Sequence, residues 1–162
     1  GLNIGARHIS LSTCGLVDRI YDLMGLDMQI TLSISLHCPL DSVRSSLMPI
    51  NKKWNVDSLM KACREYTNKT GRRISFEYII IDGVNNTDEC LFELKRLLSG
   101  MIAHVNLIPA NPVKGSSSKG TRRAAEEFRD RLLKNGINAT VRRTLGADIE
   151  ASCGQLKGKE KQ

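Results

Sequence analysis

The sequence predicts an α/β protein built on a parallel sheet. Short runs of period two alternate with longer runs of period 3.6, most strands end in polar or turn-forming residues, and the longer helical runs stop at glycine. In order, His8-Ile9-Ser10-Leu11-Ser12 alternates apolar and polar residues, and Thr13-Cys14-Gly15 breaks it, giving a first strand and its exit loop. A short helix covers Val17 to Met24, and residues 30–36, ITLSISL, form a second strand closed by His37-Cys38-Pro39. From Val56 a helix places Leu59, Met60 and Cys63 on one face, with Asn55 as N-cap and Gly71 as the stop. Residues 74–81, ISFEYIII, make a third strand whose continuously apolar end predicts burial on both faces. It stops at the turn cluster Asp82 to Asn86. Thr87 caps the next helix, which buries Cys90, Leu91, Leu94, Leu97 and Leu98 and carries Asp88 and Glu89 where the helix dipole is positive. His104 to Ile108 form a fourth strand, Thr121 starts a last helix with Ala125, Phe128 and Leu132 inward, and Ile137 to Arg143 alternate as a fifth strand. This order is that of right-handed βαβ units. The sheet is either doubly wound or part of a β/α barrel, and periodicity leaves both open.

A length of 162 residues with 41% hydrophobic and 25% charged residues suits one domain and excludes a disordered chain. No apolar run approaches 18 residues, which excludes a helical membrane span. The opening GLNIGARHIS has neither an initial Met nor the layout of a signal peptide, and reads as a cut inside a longer chain. The five cysteines, Cys14, Cys38, Cys63, Cys90 and Cys153, are odd in number and widely spaced. This pattern favours a reducing cytosol over a disulfide framework and argues against a metal site built from this chain alone. A net charge of +7 favours an acidic partner, nucleic acid first among them. The basic pairs Lys52-Lys53, Arg72-Arg73, Arg122-Arg123 and Arg142-Arg143 recur as an extended phosphate-contacting surface would require, although a solvated face has the same composition. Aromatics are sparse, so a base-stacking platform is not expected.

In parallel α/β folds ligands collect at the C-terminal ends of the strands. Those ends carry Ser12-Thr13, Ser35-Leu36-His37, Asp82 to Asn85 and, past Pro109-Ala110, Asn111, all on one rim. Taken singly these are weak signals. A histidine at a strand end is more often structural than ligating, short polar residues commonly close turns, and Glu77 reads as a paired structural carboxylate. Cys153, in a Gly-flanked loop about ten residues after Arg142-Arg143, has surroundings that can lower a thiol's pKa and make it a nucleophile, although a free cysteine is more often just a small buried apolar residue. Cys63 and Cys90 fall on helix core stripes and read as structural, while nothing further marks Cys14 and Cys38 on the rim.

The strings HISLSTCG, ISLHCP, RSSLMPIN, FEYIIIDGVN, HVNLIPANP and DIEASCGQL together resemble, in order, the C-terminal part of the radical-SAM adenine methyltransferases of the RlmN type, with the Cfr type as close relative. The resemblance implies a partial radical-SAM (β/α) barrel, with residues 1–156 as the C-terminal part of the barrel domain and 157–162 as a charged tail. It implies methylation of adenine C2 in large-subunit rRNA and tRNA with S-adenosyl-L-methionine and a [4Fe-4S] cluster, a reductant for that cluster, no membrane, a monomeric state and a cytoplasmic location. The family's methyl-carrying cysteine falls on Cys153, and its S-adenosylmethionine-binding residues on Ser12, Ser35, Leu36, His37 and Asn111. The family's C-x3-C-x2-C cluster motif is absent, so the cluster ligands are expected upstream and the chain alone is expected to be inactive. The alternatives are a C8-adenine methyltransferase of the Cfr type, a non-catalytic RNA-binding α/β module in which Cys153 is inert, and a degenerate remnant.

Overall fold

The structure, a computed structural model, describes residues 9–110 and 121–143. Asn111 and Cys153, the loop 114–120 and the tail 157–162 lie outside the described residues. Five strands, β1 (Ser10–Thr13), β2 (Thr31–Ser35), β3 (Ile74–Ile80), β4 (Ala103–Pro109) and β5 (Ala139–Val141), pair in parallel in their chain order. A doubly wound sheet would reverse its strand order at a switch point, and none is present among the described residues. The sheet is singly wound, as in a β/α barrel.

The helices are α1 (Val17–Met24), α2 (Asp41–Leu47), α3 (Val56–Thr70), α4 (Asp88–Leu98) and α5 (Thr121–Lys134). Local chemistry sets their ends. The Asn55 side chain accepts a hydrogen bond from the Ser58 N–H and Thr87 from the Cys90 N–H, as N-caps do. Gly71 closes α3 in the left-handed region at φ 65°, where a side chain would be strained. Helix α2 and the 3-10 turn Pro49–Lys52 were not anticipated from the sequence.

Register divides the sheet into two chemically different faces. One carries Ile34, Phe76, Val105 and Ala139 across neighbouring strands, and above them Tyr78, Leu107 and Val141. Ile20 of α1, Leu59 and Cys63 of α3, Leu94 of α4 and Phe128 and Leu132 of α5 pack with that face in one hydrophobic cluster, Phe128 against Tyr78 at 5.9 Å between ring centroids. Right-handed crossovers in a sequential sheet place all the helices on the same side. The other face carries a row Ser12, Ser33, Ser75, His104 and, one rung further, Ser35, Glu77, Asn106, Thr140. The burial of β3 alternates strictly, so its apolar end is not enclosed on both sides as the composition suggested: Ile79 stands on the polar face and is only half-buried.

Candidate functional site

At the β1 exit, Thr13 Oγ1 accepts from the N–H groups of Gly15 and Leu16 at 3.2 and 3.3 Å, turning the chain away from the sheet. Ser12, just before this turn, is exposed on the polar face. At the β2 exit, the N–H groups of Leu36 and His37 both donate to the Glu77 carbonyl, at 3.0 and 3.2 Å. The chain then turns at His37, the only non-glycine residue at positive φ (59°) among the described residues. Its ring replaces the missing backbone partner of β3: the Ile79 N–H donates to His37 Nδ1 at 3.0 Å. An accepting Nδ1 fixes the neutral tautomer with the proton on Nε2, leaving that N–H as a donor. Burial, and then the charge of Arg44, hold His37 below its ordinary value of 6.5, which favours the same neutral form.

Two buried polar residues build these exits: Arg44, which carries no signal in the sequence, and Asn85, which the sequence marks only as the end of the polar stretch after β3. Asn85, in the turn after β3, accepts from the Ile81 N–H at 2.8 Å and donates to the carbonyls of His37 and Ile79 at 2.7 and 2.6 Å. Arg44 of α2 is fully buried. Its Nη2 donates to the Cys14 and Ser35 carbonyls at 2.9 and 3.0 Å, its Nε to the Leu36 carbonyl at 3.0 Å and its Nη1 to Asn51 Oδ1 at 2.8 Å. Asn51 in turn donates to Asp41 Oδ1 at 2.9 Å, the same oxygen that accepts from the Val56 N–H at the start of α3. A residue pattern around Arg44 offers no cue, because α2 has no apolar stripe and the guanidinium's partners come from three separated segments.

Ser12, Ser35 and His37 therefore meet on one rim, as expected for strand ends. Leu36 contributes differently: its side chain is fully buried toward the helices, so only its peptide group belongs to the rim. Glu77 Oε2 accepts from Asn106 Nδ2 at 3.0 Å, the paired carboxylate expected, and it stands on the open face level with Ser35.

The basic pairs do not form one surface. Arg72 Nε donates to the Ile30 carbonyl at 2.9 Å, at the opposite edge of the sheet from the rim. Arg122 and Arg123 form ion pairs with Glu126 and Glu127. Lys52 and Lys53 remain exposed, Lys53 lying 4.1 Å above the Trp54 ring, and Arg142 and Arg143 are exposed after β5. Among the described residues no three His, Cys, Asp or Glu side chains stand close enough to hold a metal ion, so they do not fit an iron–sulfur cluster. Cys38 and Cys90 are buried with their sulfurs 4.0 Å apart, a juxtaposition the sequence did not suggest. No helix among the described residues is long and apolar enough to cross a membrane.

No family model matches the chain. It is 51% identical over 158 residues to a probable dual-specificity RNA methyltransferase RlmN of Clostridium perfringens, covering 97% of this chain and 46% of that protein. It is 48% identical over 160 residues to its counterpart in Lachnospira eligens, again covering 46% of the relative. The chain thus spans slightly less than half the length of these curated relatives. Among solved structures, a radical SAM methyltransferase from Sphaerobacter thermophilus superposes with a TM-score of 0.87 at 47% identity, over 96% of this chain and 46% of that one. A domain of pyruvate-formate lyase-activating enzyme from Bacteroides vulgatus superposes with a TM-score of 0.60 at 16% identity over 83% of this chain, a likeness of fold alone. Half-identical in sequence over nearly its whole length, and with the same backbone course as a radical SAM methyltransferase, the chain is similar to a segment amounting to a little under half of the RlmN-type radical SAM methyltransferases.

Proposed function

We propose that this chain is the part of an RNA adenine-C2 methyltransferase that presents S-adenosyl-L-methionine and carries the methyl-accepting thiol. The observation that carries the reading is the 51% identity over 97% of the chain to a dual-specificity RNA methyltransferase. The polar rim is consistent with it. Ser12 and Ser35 offer hydroxyls on the open face, and the His37 tautomer offers an Nε2–H donor. These groups suit the ribose, purine and amino-acid parts of the cofactor, which need hydrogen bonds from a preformed surface. Asn111, following β4, completes the proposed set. When bound, S-adenosylmethionine supplies the methyl carbon and the source of the radical that the chemistry requires. Adenine C2 is not nucleophilic, so the carbon cannot pass directly from a sulfonium to the ring and needs a carrier.

Cys153 is the proposed carrier, and it must lose its proton to accept a methyl group. The [4Fe-4S] cluster and its reductant belong, in this reading, to residues outside this chain. Large-subunit rRNA and tRNA are the proposed substrates, a monomer the proposed state and the cytoplasm the proposed location. Exposed Lys52, Lys53, Arg142 and Arg143 are the proposed phosphate contacts, because the remaining basic pairs are partnered or stand away from the rim.

The test is to transplant the chain over the matching segment of the Clostridium perfringens relative, supply cluster, reductant and methyl donor, and analyse the nucleosides of the treated RNA by mass spectrometry. The transplant should yield 2-methyladenosine, and Cys153→Ala should abolish it while RNA binding stays within about two-fold. Methylation that persists in Cys153→Ala would refute the carrier role. Formation of 8-methyladenosine instead would move the chain to the Cfr type.

A further inference from the structure

Arg44 is a buried cation that donates three hydrogen bonds to peptide carbonyls and one to Asn51 Oδ1. Among the described residues no carboxylate lies within ion-pair distance of it. Burying an unpaired guanidinium is costly, and the interaction that offsets the cost here is its fork of donors, with each of the three nitrogens bonded to oxygen. Three of those oxygens, Cys14 O, Ser35 O and Leu36 O, belong to the two loops that leave β1 and β2.

The peptides joining Ser35 to Leu36 and Leu36 to His37 are held from both sides. Their carbonyls accept from Arg44, and their N–H groups donate to the Glu77 carbonyl at 3.0 and 3.2 Å. A peptide plane pinned at both its oxygen and its hydrogen cannot rotate, so the Ser35 and His37 side chains leave the backbone in fixed directions. The third carbonyl ties the Ser12 exit to the same guanidinium. Close approach needs Gly15: a Cβ there would lie 3.1 Å from Arg44 Nη2 and 3.2 Å from Leu59 Cδ2. Asn51 and Asp41 then link the guanidinium to the start of α3, so the clamp is braced against a packed helix.

We infer that Arg44 is a positioning residue for the methyl donor: from beneath the rim it locks the Cys14, Ser35 and Leu36 peptides, so that Ser12, Ser35 and His37 present one preformed surface to S-adenosylmethionine. The inference rests on the cofactor reading above. A fork of donors is required for it, so lysine, with the same charge on one nitrogen, is not an adequate substitute.

The experiment is a calorimetric titration of the cluster-loaded transplant described above with S-adenosylmethionine, with the transplanted segment in wild-type form, as Arg44→Lys and as Asn51→Ala. Each variant is brought to full folding, checked by urea unfolding. A purely structural role lowers the unfolding midpoint and leaves the affinity of the folded molecules unchanged. The positioning role predicts that folded Arg44→Lys binds at least ~10-fold more weakly, since misplacing contact groups by about 1 Å costs that much or more. Amide hydrogen exchange in that variant should quicken at Cys14, Gly15 and residues 36–38, the segments that the guanidinium holds. Asn51→Ala, which loosens one anchor and leaves the three carbonyl contacts, should lose about three-fold by the same reasoning and serves if Arg44→Lys does not fold. Wild-type affinity in a folded Arg44→Lys, or in Asn51→Ala when that variant stands in, overturns the inference and leaves the cofactor reading intact. No binding by the transplant carrying the wild-type segment overturns the cofactor reading and the inference with it.

Discussion

Replacing Asn85 by alanine should separate the exits of β2 and β3. The side chain is fully buried and makes three hydrogen bonds, accepting from the Ile81 N–H and donating to the His37 and Ile79 carbonyls. Alanine strands all three backbone groups. A buried polar group left without a partner costs about 1–3 kcal/mol, and the lower figure applies at a rim that water partly reaches, giving ~3 kcal/mol in all. With a urea slope of about 2 kcal/mol/M for a domain of this size, the midpoint should fall by roughly 1.5 M. Circular dichroism across a urea series measures it. Asn85→Asp is the informative companion, since it keeps the acceptor for Ile81 but sets an oxygen against two carbonyl oxygens, and it should be no more stable than alanine. A midpoint shift below about 0.5 M at unchanged slope for Asn85→Ala, or a well-tolerated aspartate, would refute the assignment of the amide as the tie between the two exits.

Gly15→Ala, at φ 102° and with Arg44 Nη2 and Leu59 within 3.2 Å of the new Cβ, should destabilise by at least ~1–2 kcal/mol, read as a lower thermal midpoint. His37 and His104 are both held below 6.5, first by burial and then by Arg44 and Arg73 respectively. A base whose folded value is depressed binds its proton more readily when unfolded. Its stabilisation is therefore present above pH 6.5 and lost as the pH falls below it toward the folded value. Thermal midpoints between pH 7.5 and 5 should drop, and His37→Asn, which can keep an acceptor for Ile79, should flatten the slope. Iodoacetamide should modify the exposed Cys14 in the folded chain and reach Cys38, Cys63 and Cys90 only on unfolding, with Cys63 further protected by a thiol pushed up to about 12 by burial. Peptide mass spectrometry reads the order, and native labelling of Cys63 as fast as that of Cys14 would contradict the core placement.

Much of the scaffold was legible because its signals are local. Asn55, Thr87 and Gly71 act through their own neighbours along the chain, so their roles as caps and stop could be read from one segment at a time. The rim position of Ser12, Ser35 and His37 followed from a general property of parallel sheets. What escaped depends on contacts between distant segments. Helix α2 buries a charged residue in place of an apolar stripe, and Arg44 makes sense only once the β1 and β2 exits lie beside each other. Asn85 looked like one more turn residue until its amide was found bridging 48 positions to His37. The end of β3 misled for the opposite reason: an unbroken apolar run suggests enclosure on both faces, whereas register alone decides which isoleucines meet the helices.

The contrast between the two faces of the sheet has an evolutionary consequence. Folding free energy is gathered almost wholly beneath the helices, among Ile34, Phe76, Tyr78, Val105 and Leu107, while the serines, Glu77 and Asn106 stand on the opposite side. Exchanges among those polar groups can change the chemistry of that surface without emptying the core. Such an architecture lets a lineage try new chemistries while its thermodynamic foundation stays in place.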